Sequence, residues 1–353
     1  MKTKYQDFLG WVLLLGVGWF GVAIGSPLQA QGLQVCCTTP DLASLVQTIG
    51  GPQVSVSTFA KGTEDPHFLE AKPSFVSLLH RADLLVLVGL ELESGWLPAV
   101  LRGASNPRVH EGGTGYLDAS AAIRPLEVPT GPIDRSMGDV HPGGNPHYLL
   151  DPICGLQVAR LIRDKLSELR PAQKATFQQR YEEFAGKLGE LLIGPELARK
   201  YRSEDLPKLA LLFEHGKLQA YLKSQKEEDQ LGGWFSLMLP YYGTPVVDDH
   251  NLWPYFARRF GLRVVAHMEP KPGIPPTMTH LRTVAQQMRA EQVRLILTSP
   301  YYDPRHAQFL ASATGAKVIR MAHQVGSRPG TDDYLSMVDY NVRQVAAGLK
   351  PSP

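Results

Sequence analysis

Leu84-Leu85-Val86-Leu87-Val88 is apolar at every position and lies between Asp83 and Gly89. A strand of a parallel sheet has this composition because helices cover both faces of the sheet and bury every side chain. Two further β-like segments, at 33–38 and 54–59, precede the run and alternate with helical segments. Repeated short strand–helix units predict a doubly wound parallel sheet with right-handed crossovers.

The second half of the chain repeats this pattern after a helical middle. Two long helices are predicted at 154–169 and 171–192, and a last helix at about 332–349. Between the second and the last of these helices, strands are predicted at 209–213, 245–247, 263–267, 293–298 and 317–319. The helix at 171–192 has an apolar stripe and no proline beyond its first turn, so we expect it to be stiff.

These elements predict an α/β protein with two doubly wound parallel-sheet lobes joined by a long rigid helix. The N-terminal lobe is expected over 31–170, the linking helix over 171–199 and the C-terminal lobe over 200–353. Ligands of doubly wound sheets bind outside the carboxyl ends of the strands. A ligand site is therefore expected in the cleft between the two lobes.

The first 30 residues have the order of a secretory signal peptide. Lys2 and Lys4 precede an apolar run at 8–24, and Gly25-Ser26-Pro27 breaks that run before a small residue, Ala30. An uncleaved membrane anchor is the alternative interpretation, but the run is short for a spanning helix and rich in glycine. We therefore expect a protein exported to the periplasm by a signal peptide at 1–30.

The formal net charge of the whole chain is +2. The leader contains two lysines and Asp7, a net of +1, so the mature chain carries 2 − 1 = +1. A nearly neutral protein gives no electrostatic reason to expect nucleic acid or an anionic membrane surface as a partner. Three cysteines, Cys36, Cys37 and Cys154, are too few for a disulfide framework and are expected to be small buried residues. We expect a monomer.

Three histidines lie at breaks in the chain. They belong to Asp65-Pro66-His67, Asn145-Pro146-His147 and Asp248-Asp249-His250. Proline fixes φ and makes a stiff corner, which holds an imidazole with little loss of entropy on binding. Imidazole is the commonest side-chain ligand of zinc and its neighbours. Since His67 and His250 each follow a predicted strand, a metal site assembled by the tertiary fold is the leading hypothesis.

An ordered set of motifs resembles the solute-binding proteins of zinc and manganese ABC importers, and it spans nearly all of the mature chain. The motifs are Cys37-Thr38-Thr39-Pro40-Asp41-Leu42-Ala43-Ser44-Leu45, Gly62 through His67 with Glu70 and Lys72-Pro73-Ser74, the run from Arg81 to Leu90, Asn145-Pro146-His147 with Leu150-Asp151-Pro152, His250 with Trp253-Pro254-Tyr255-Phe256, Glu269-Pro270-Lys271-Pro272-Gly273-Ile274-Pro275-Pro276, Pro300-Tyr301-Tyr302-Asp303-Pro304-Arg305, and Asp332-Asp333-Tyr334 with Asn341.

This resemblance implies a ligand set of His67, His147, His250 and one acid near the start of the last helix. The spacing to Asn341 favours Asp332 for the fourth place, with Asp333 as the alternative. The two aspartates have another interpretation, as the N-cap and first-turn acid of that helix.

The sequence departs from the family pattern in two places. It lacks the long histidine- and acid-rich loop that many zinc-binding members have before the second histidine, and only His141 stands there. It also has extra length between Leu192 and Gly233, including a charged run at 223–229. His141 and the pair Glu214-His215 match no motif, so a solvated or capping role is expected for them. Structural or exposed roles are expected for His80, His110, His267, His280, His306 and His323.

Two classes of function are compatible with a metal site of this kind. The first is a binding protein, not an enzyme, which captures a divalent ion as transported cargo and passes it to an ABC permease in the cytoplasmic membrane. Three imidazoles and one carboxylate suit zinc best, whereas manganese prefers more oxygen ligands. Manganese is therefore the second candidate. The second is a secreted metal-dependent hydrolase. That class needs an open coordination position and a general base, and no His-Glu-x-x-His motif occurs in the sequence.

Overall fold

The computed structural model describes residues 32–131, 140–271 and 273–351. The predicted signal peptide at 1–30 lies outside the described residues. The first sheet consists of four parallel strands in the order β2-β1-β3-β4. These strands are β1 (Leu33–Cys37), β2 (Val54–Thr58), β3 (Leu84–Leu87) and β4 (Tyr116–Asp118). All four residues of β3 are buried, as the uninterrupted apolar run predicted.

A second four-stranded parallel sheet follows in the other half of the chain, in the order β6-β5-β7-β8. Its strands are β5 (Pro245–Asp248), β6 (Arg263–His267), β7 (Leu295–Thr298) and β8 (Lys317–Arg320). In both sheets the strand that comes first in the chain lies inside, and the following strands are added on either side of it. Each sheet therefore has a topological switch point, between β1 and β3 and between β5 and β7, where α/β proteins bind their ligands.

Thirteen helices accompany the sheets among the described residues. They are α1 (Pro40–Gly50), α2 (Pro73–His80), α3 (Leu97–Ala104), α4 (Pro152–Leu169), α5 (Lys174–Ile193), α6 (Pro195–Ala198), α7 (Leu206–Glu214), α8 (Leu218–Ser224), α9 (Gly233–Met238), α10 (Pro254–Arg259), α11 (Met278–Ala290), α12 (Pro304–Thr314) and α13 (Tyr334–Leu349). The two parallel-sheet lobes of the prediction are confirmed.

The long helix α5 corresponds to the predicted linking helix. It follows a short 3₁₀ turn that begins at Pro171, and it ends at Ile193, before the C-cap Gly194, whose φ of 85° suits glycine. Phe177, Phe184 and Leu188 are buried on its apolar stripe. The helix packs against α1 and α4 of the first half and against α9 of the second, as a helix that joins the lobes should. The domain boundaries at 170 and 199 stay a prediction.

One predicted strand is wrong. Residues 209–213 belong to helix α7, because Leu206, Leu209, Ala210 and Phe213 are buried at the i, i+3, i+4, i+7 spacing of one helix face. The apolar residues between them gave the segment the appearance of a short strand. Helices α6, α7 and α8 lie within the extra length between Leu192 and Gly233.

The three cysteines are free and buried, and Cys36 and Cys37 lie within β1 as expected. Burial raises the pKa of the Cys36 thiol to about 12, so it is chemically inert near neutral pH. None of the helices in the described ranges combines the length and the apolar character that a membrane crossing requires.

Candidate metal centre

The three predicted histidines meet in the structure. His67 lies in a 3₁₀ turn after β2, His147 directly precedes another 3₁₀ turn, and His250 lies two residues after β5. Their exposed fractions are only 7, 6 and 4%. The ring centres of His67 and His147 are 5.3 Å apart, those of His147 and His250 5.8 Å, and those of His67 and His250 6.2 Å. Two imidazoles on one tetrahedral zinc ion, with bonds of ~2.1 Å, have ring centres roughly 5 Å apart.

Each of these rings is oriented by a hydrogen bond at Nδ1, which leaves Nε2 for another partner. The three anchoring atoms and their distances to Nδ1 are Asp65 Oδ1 at 2.7 Å from His67, Asn145 Oδ1 at 2.9 Å from His147, and Glu269 Oε2 at 2.6 Å from His250. An acceptor at Nδ1 fixes the tautomer and makes Nε2 the lone-pair nitrogen. Metal-binding histidines are held in the same way in proteins generally.

The Asx-Pro-His sequence builds two of these anchors locally. The side chain of Asp65 also accepts a hydrogen bond from the backbone N–H of His67, at 3.0 Å. Asn145 does the same for His147, at 2.9 Å. Such Asx turns need no partner from elsewhere in the chain, so the ring orientation is encoded in three consecutive residues.

The Nε2 atom of His147 is the clearest candidate for a metal-binding atom. This nitrogen is buried and has no hydrogen-bond partner among the residues that the structure describes. Burial, together with the neighbouring histidines, lowers the pKa of His147 well below its ordinary value, so the ring is neutral. A buried acceptor without a partner costs free energy, and native proteins rarely leave one unmatched. A metal ion at Nε2 fits this nitrogen, since zinc binds neutral imidazole.

A fourth histidine, His323, lies beside the other three in the loop after β8. It is buried, and its ring centre is 5.5 Å from that of His147. Its recorded hydrogen bonds fall on Nδ1, with the Tyr301 hydroxyl and the Gln324 amide, both at 3.3 Å. Burial lowers the pKa of His323 to about 3. From the sequence a structural or exposed role was expected for His323, and the structure places it buried beside His147. Its position just after a strand of the second sheet was the signal that could have found it.

His141 completes the group. Its Nε2 is 3.3 Å from Nε2 of His67, and the two ring centres are 5.3 Å apart. The ring is partly exposed, at the open side of the site. The solvated role expected from the sequence therefore holds only in part. We refer to His67, His141, His147, His250 and His323 together as the histidine cluster.

Asp332 and Asp333 are not part of this cluster. Both are exposed, and within the described ranges no hydrogen bond or ion pair joins Asp332 to a histidine. Asp333 is the N-cap of α13: its side chain accepts from the backbone N–H of Ser336 at 2.8 Å, and Ser336 Oγ accepts from the N–H of Asp333 at 2.9 Å. The capping interpretation is therefore confirmed for Asp333, and the position of Asp332 gives no support to its role as fourth ligand.

Within the described ranges, no three histidine, cysteine or acidic side chains are already arranged to hold a metal ion. The ring-centre distances of 5.3–6.2 Å are slightly longer than the value of roughly 5 Å for a shared tetrahedral ion. The rings therefore have to move inward by a fraction of an ångström to a little over one ångström when a metal binds. Side-chain adjustments of this size are common on binding.

Comparison with known proteins gives a consistent picture. The family model described as "Zinc-uptake complex component A periplasmic" (ZnuA) matches residues 35–193 and 218–348. The gap at 194–217 falls in the extra length noted in the sequence. The metal ABC transporter substrate-binding lipoprotein ScbA of Streptococcus cristatus is 21% identical over 90% of this chain and 89% of its own length. The manganese ABC transporter substrate-binding lipoprotein PsaA of Streptococcus pneumoniae serotype 4 is 20% identical over 91% and 90%.

Solved structures show the same fold at low sequence identity. A crystal structure of ZnuA superposes with a TM-score of 0.64 at 19% identity and covers 90% of this chain and 99% of that chain. The periplasmic metal-binding protein of Candidatus Liberibacter asiaticus gives a TM-score of 0.61 at 17% identity, with 90% and 99% covered. Because the family model matches well over half of the residues, the chain belongs to the family of the periplasmic zinc-uptake complex component A.

Proposed function

We propose that this protein captures a divalent transition metal ion outside the cytoplasmic membrane and delivers it to an ABC permease. The observation that carries the proposal is the buried, unpartnered Nε2 of His147 at the centre of the histidine cluster. Relatives over nine-tenths of the chain are named substrate-binding lipoproteins of metal ABC transporters, which supports the same role and an exported location.

The proposed ligands are His67, His147 and His250, with His323 as the fourth in place of Asp332. All four rings are buried. His67, His250 and His323 lie in the segments that follow β2, β5 and β8, and His147 directly precedes a 3₁₀ turn. Four protein ligands close the shell of a tetrahedral ion and leave no position for a reacting water. This argues for capture and against the hydrolase alternative, which requires an open position.

Zinc is the proposed cargo, with manganese next. A shell made of imidazole nitrogens suits zinc, whereas manganese prefers carboxylate and carbonyl oxygens. The two carboxylates nearest the rings, Asp65 and Glu269, accept hydrogen bonds at Nδ1 and so act as anchors behind the ligands. The metal named for the streptococcal PsaA relatives is manganese, so both ions belong in the test.

The test is a competitive titration of the metal-free protein with zinc and with manganese against a chelator of known affinity. We expect tight zinc binding, weaker manganese binding, and a loss of zinc affinity of at least ~100-fold in His147→Ala. His215→Ala is the matched control, because His215 is exposed on the turn after α7. Equal zinc affinity of wild type and His147→Ala would contradict the proposed site.

A further inference from the structure

The histidine cluster opens into a small cavity that contains one acidic residue. The cavity is lined by His141, His147, His250, Asn145, Asn251 and Glu127. Among the described residues that line it, Glu127 is the only aspartate, glutamate, lysine or arginine. Its side chain is exposed, so it lies at the mouth of the cavity and the rings lie deeper.

Glu127 is held in place by residues next to two of the proposed ligands. Its Oε2 accepts a hydrogen bond from Nδ2 of Asn145 at 3.0 Å and from Nδ2 of Asn251 at 2.7 Å. Asn145 is the anchor of His147, and Asn251 directly follows His250. Both amides use the same carboxylate oxygen, and no hydrogen bond to Oε1 is recorded within the described residues. That oxygen is available to a ligand.

The backbone around Glu127 also fixes its position. Glu127 has φ 55°, in the left-handed region that residues other than glycine seldom adopt. The N–H of Leu126 donates to the Tyr255 hydroxyl at 2.8 Å, and that hydroxyl donates to the carbonyl of Asn145 at 2.9 Å. Asn145 in turn donates its N–H to the carbonyl of Leu126 at 2.9 Å. Unfavourable backbone conformations that the surroundings maintain tend to occur at functional sites.

The negative charge of the Glu127 carboxylate attracts cations to the mouth of the cavity. The other polar side chains named around the cavity are imidazoles and amides, so Glu127 is the only carboxylate among its described lining residues. A single acidic group at the mouth raises the local concentration of a dication and thereby its rate of association.

We propose that Glu127 is a mouth ligand, which binds the incoming hydrated divalent cation through Oε1 before the cation passes to the histidines. This inference rests on the proposed function, since it concerns the same cargo. It assigns Glu127 to the rate of capture, whereas the histidines determine the affinity of the final complex.

The experiment is a stopped-flow measurement of zinc binding to the metal-free full chain. In Glu127→Gln the amide oxygen can still accept from Asn145 and Asn251, but the charge is lost. We expect the association rate constant to fall roughly five- to ten-fold at low salt, with a similar dissociation rate constant. The difference should shrink as ionic strength rises. Glu127→Asp, which keeps the charge, should associate faster than Glu127→Gln.

Glu228→Gln is the control, because it makes the same charge change on an exposed 3₁₀ turn beyond α8 and does not line the cavity. Its association rate should match that of wild type. An unchanged association rate in Glu127→Gln, or an equal drop in Glu228→Gln, would overturn the mouth-ligand assignment alone. Failure of the wild-type protein to bind zinc or manganese would overturn the proposed function, and this inference with it.

Discussion

The histidines from the first half of the chain are anchored differently from those of the second half. His67 and His147 take their Nδ1 partner from the residue two positions earlier, Asp65 and Asn145. The Nδ1 partner of His250 is Glu269, which lies 19 positions later in the chain, just after strand β6. His323 contacts Tyr301, 22 positions earlier, as well as its neighbour Gln324. One side of the site is therefore built from local turns, and the other side only forms when the second sheet folds.

The largest effect we expect separates His323 from Asp332 as the fourth ligand. Because His323 lies within the cluster, His323→Ala should weaken zinc binding by at least ~100-fold. Asp332→Ala should change it less than about two-fold, since Asp332 is exposed and, among the residues that the structure describes, is not joined to a histidine by a hydrogen bond or ion pair. Competitive titration of both variants decides the question. A large loss in Asp332→Ala with none in His323→Ala would restore the assignment made from the sequence.

The second prediction compares a local anchor with a remote one. Asp65→Asn should keep zinc affinity within a few-fold, because Asn145 already serves as anchor in an equivalent Asx-Pro-His turn. Glu269→Ala should cost ~10–100-fold, the usual loss for an outer-shell partner of a metal-binding histidine. Glu269 also accepts from the N–H of Gly273 at 2.9 Å, so its removal loosens the loop as well. Equal losses in the two variants would remove the distinction between the two halves.

The third prediction concerns pH. Burial alone would lower the pKa of His250, but the hydrogen bond and charge of Glu269 outweigh it and raise that pKa above 6.5. Protons therefore compete with the metal first at His250, and zinc affinity should fall by up to about tenfold per pH unit below that pKa. In Glu269→Gln the loss should begin at a lower pH, because the raising charge is gone. Zinc titrations of wild type and Glu269→Gln between pH 8 and pH 5 test this prediction. Identical pH profiles for the two proteins would contradict it.

The smallest effect we expect concerns two buried carboxyl groups, those of Glu93 and Asp249. Each lobe has one of them near the switch point of its sheet, so the two lobes are alike in this respect. Glu93 accepts from the N–H groups of Val88 and Gly89 near the first switch point, and Asp249 accepts from Ser299 at the second. Burial raises the pKa of each carboxyl to about 7. The folded state therefore holds these protons more tightly than the unfolded chain. Their stabilising contribution is present below the unfolded pKa and is lost as pH rises toward 7.

For Glu93 the window runs from its ordinary pKa of 4.5 to about 7. Within it, the free energy of unfolding of the metal-free protein should decrease by up to about 1 kcal/mol per pH unit on account of this group. Urea unfolding of wild type and Glu93→Gln at pH 5 and pH 6.5 measures the effect. The variant should show a shallower decrease, and identical slopes would mean that Glu93 titrates normally in the folded protein.

Much of the fold could be predicted because its signals are local. The apolar run at β3 and the alternation of strands and helices indicated two parallel sheets without any knowledge of contacts. The error at 209–213 arose where a helix face and a short strand have similar composition, and only the packing of α7 distinguishes them. The three-residue strand β4 was missed because it is too short for any periodicity to show.

The sequence by itself determined the two sheets and the local Asx-Pro-His turns that aim His67 and His147, since each depends on neighbouring residues. The tertiary structure alone decided that His323 and His141 join them and that Glu269 anchors His250. These contacts connect residues from 19 positions apart (His250 and Glu269) to 323 − 147 = 176 positions apart (His147 and His323). Residues so far apart in the sequence meet because the carboxyl ends of the strands of two sheets come together. No short stretch of sequence encodes that arrangement.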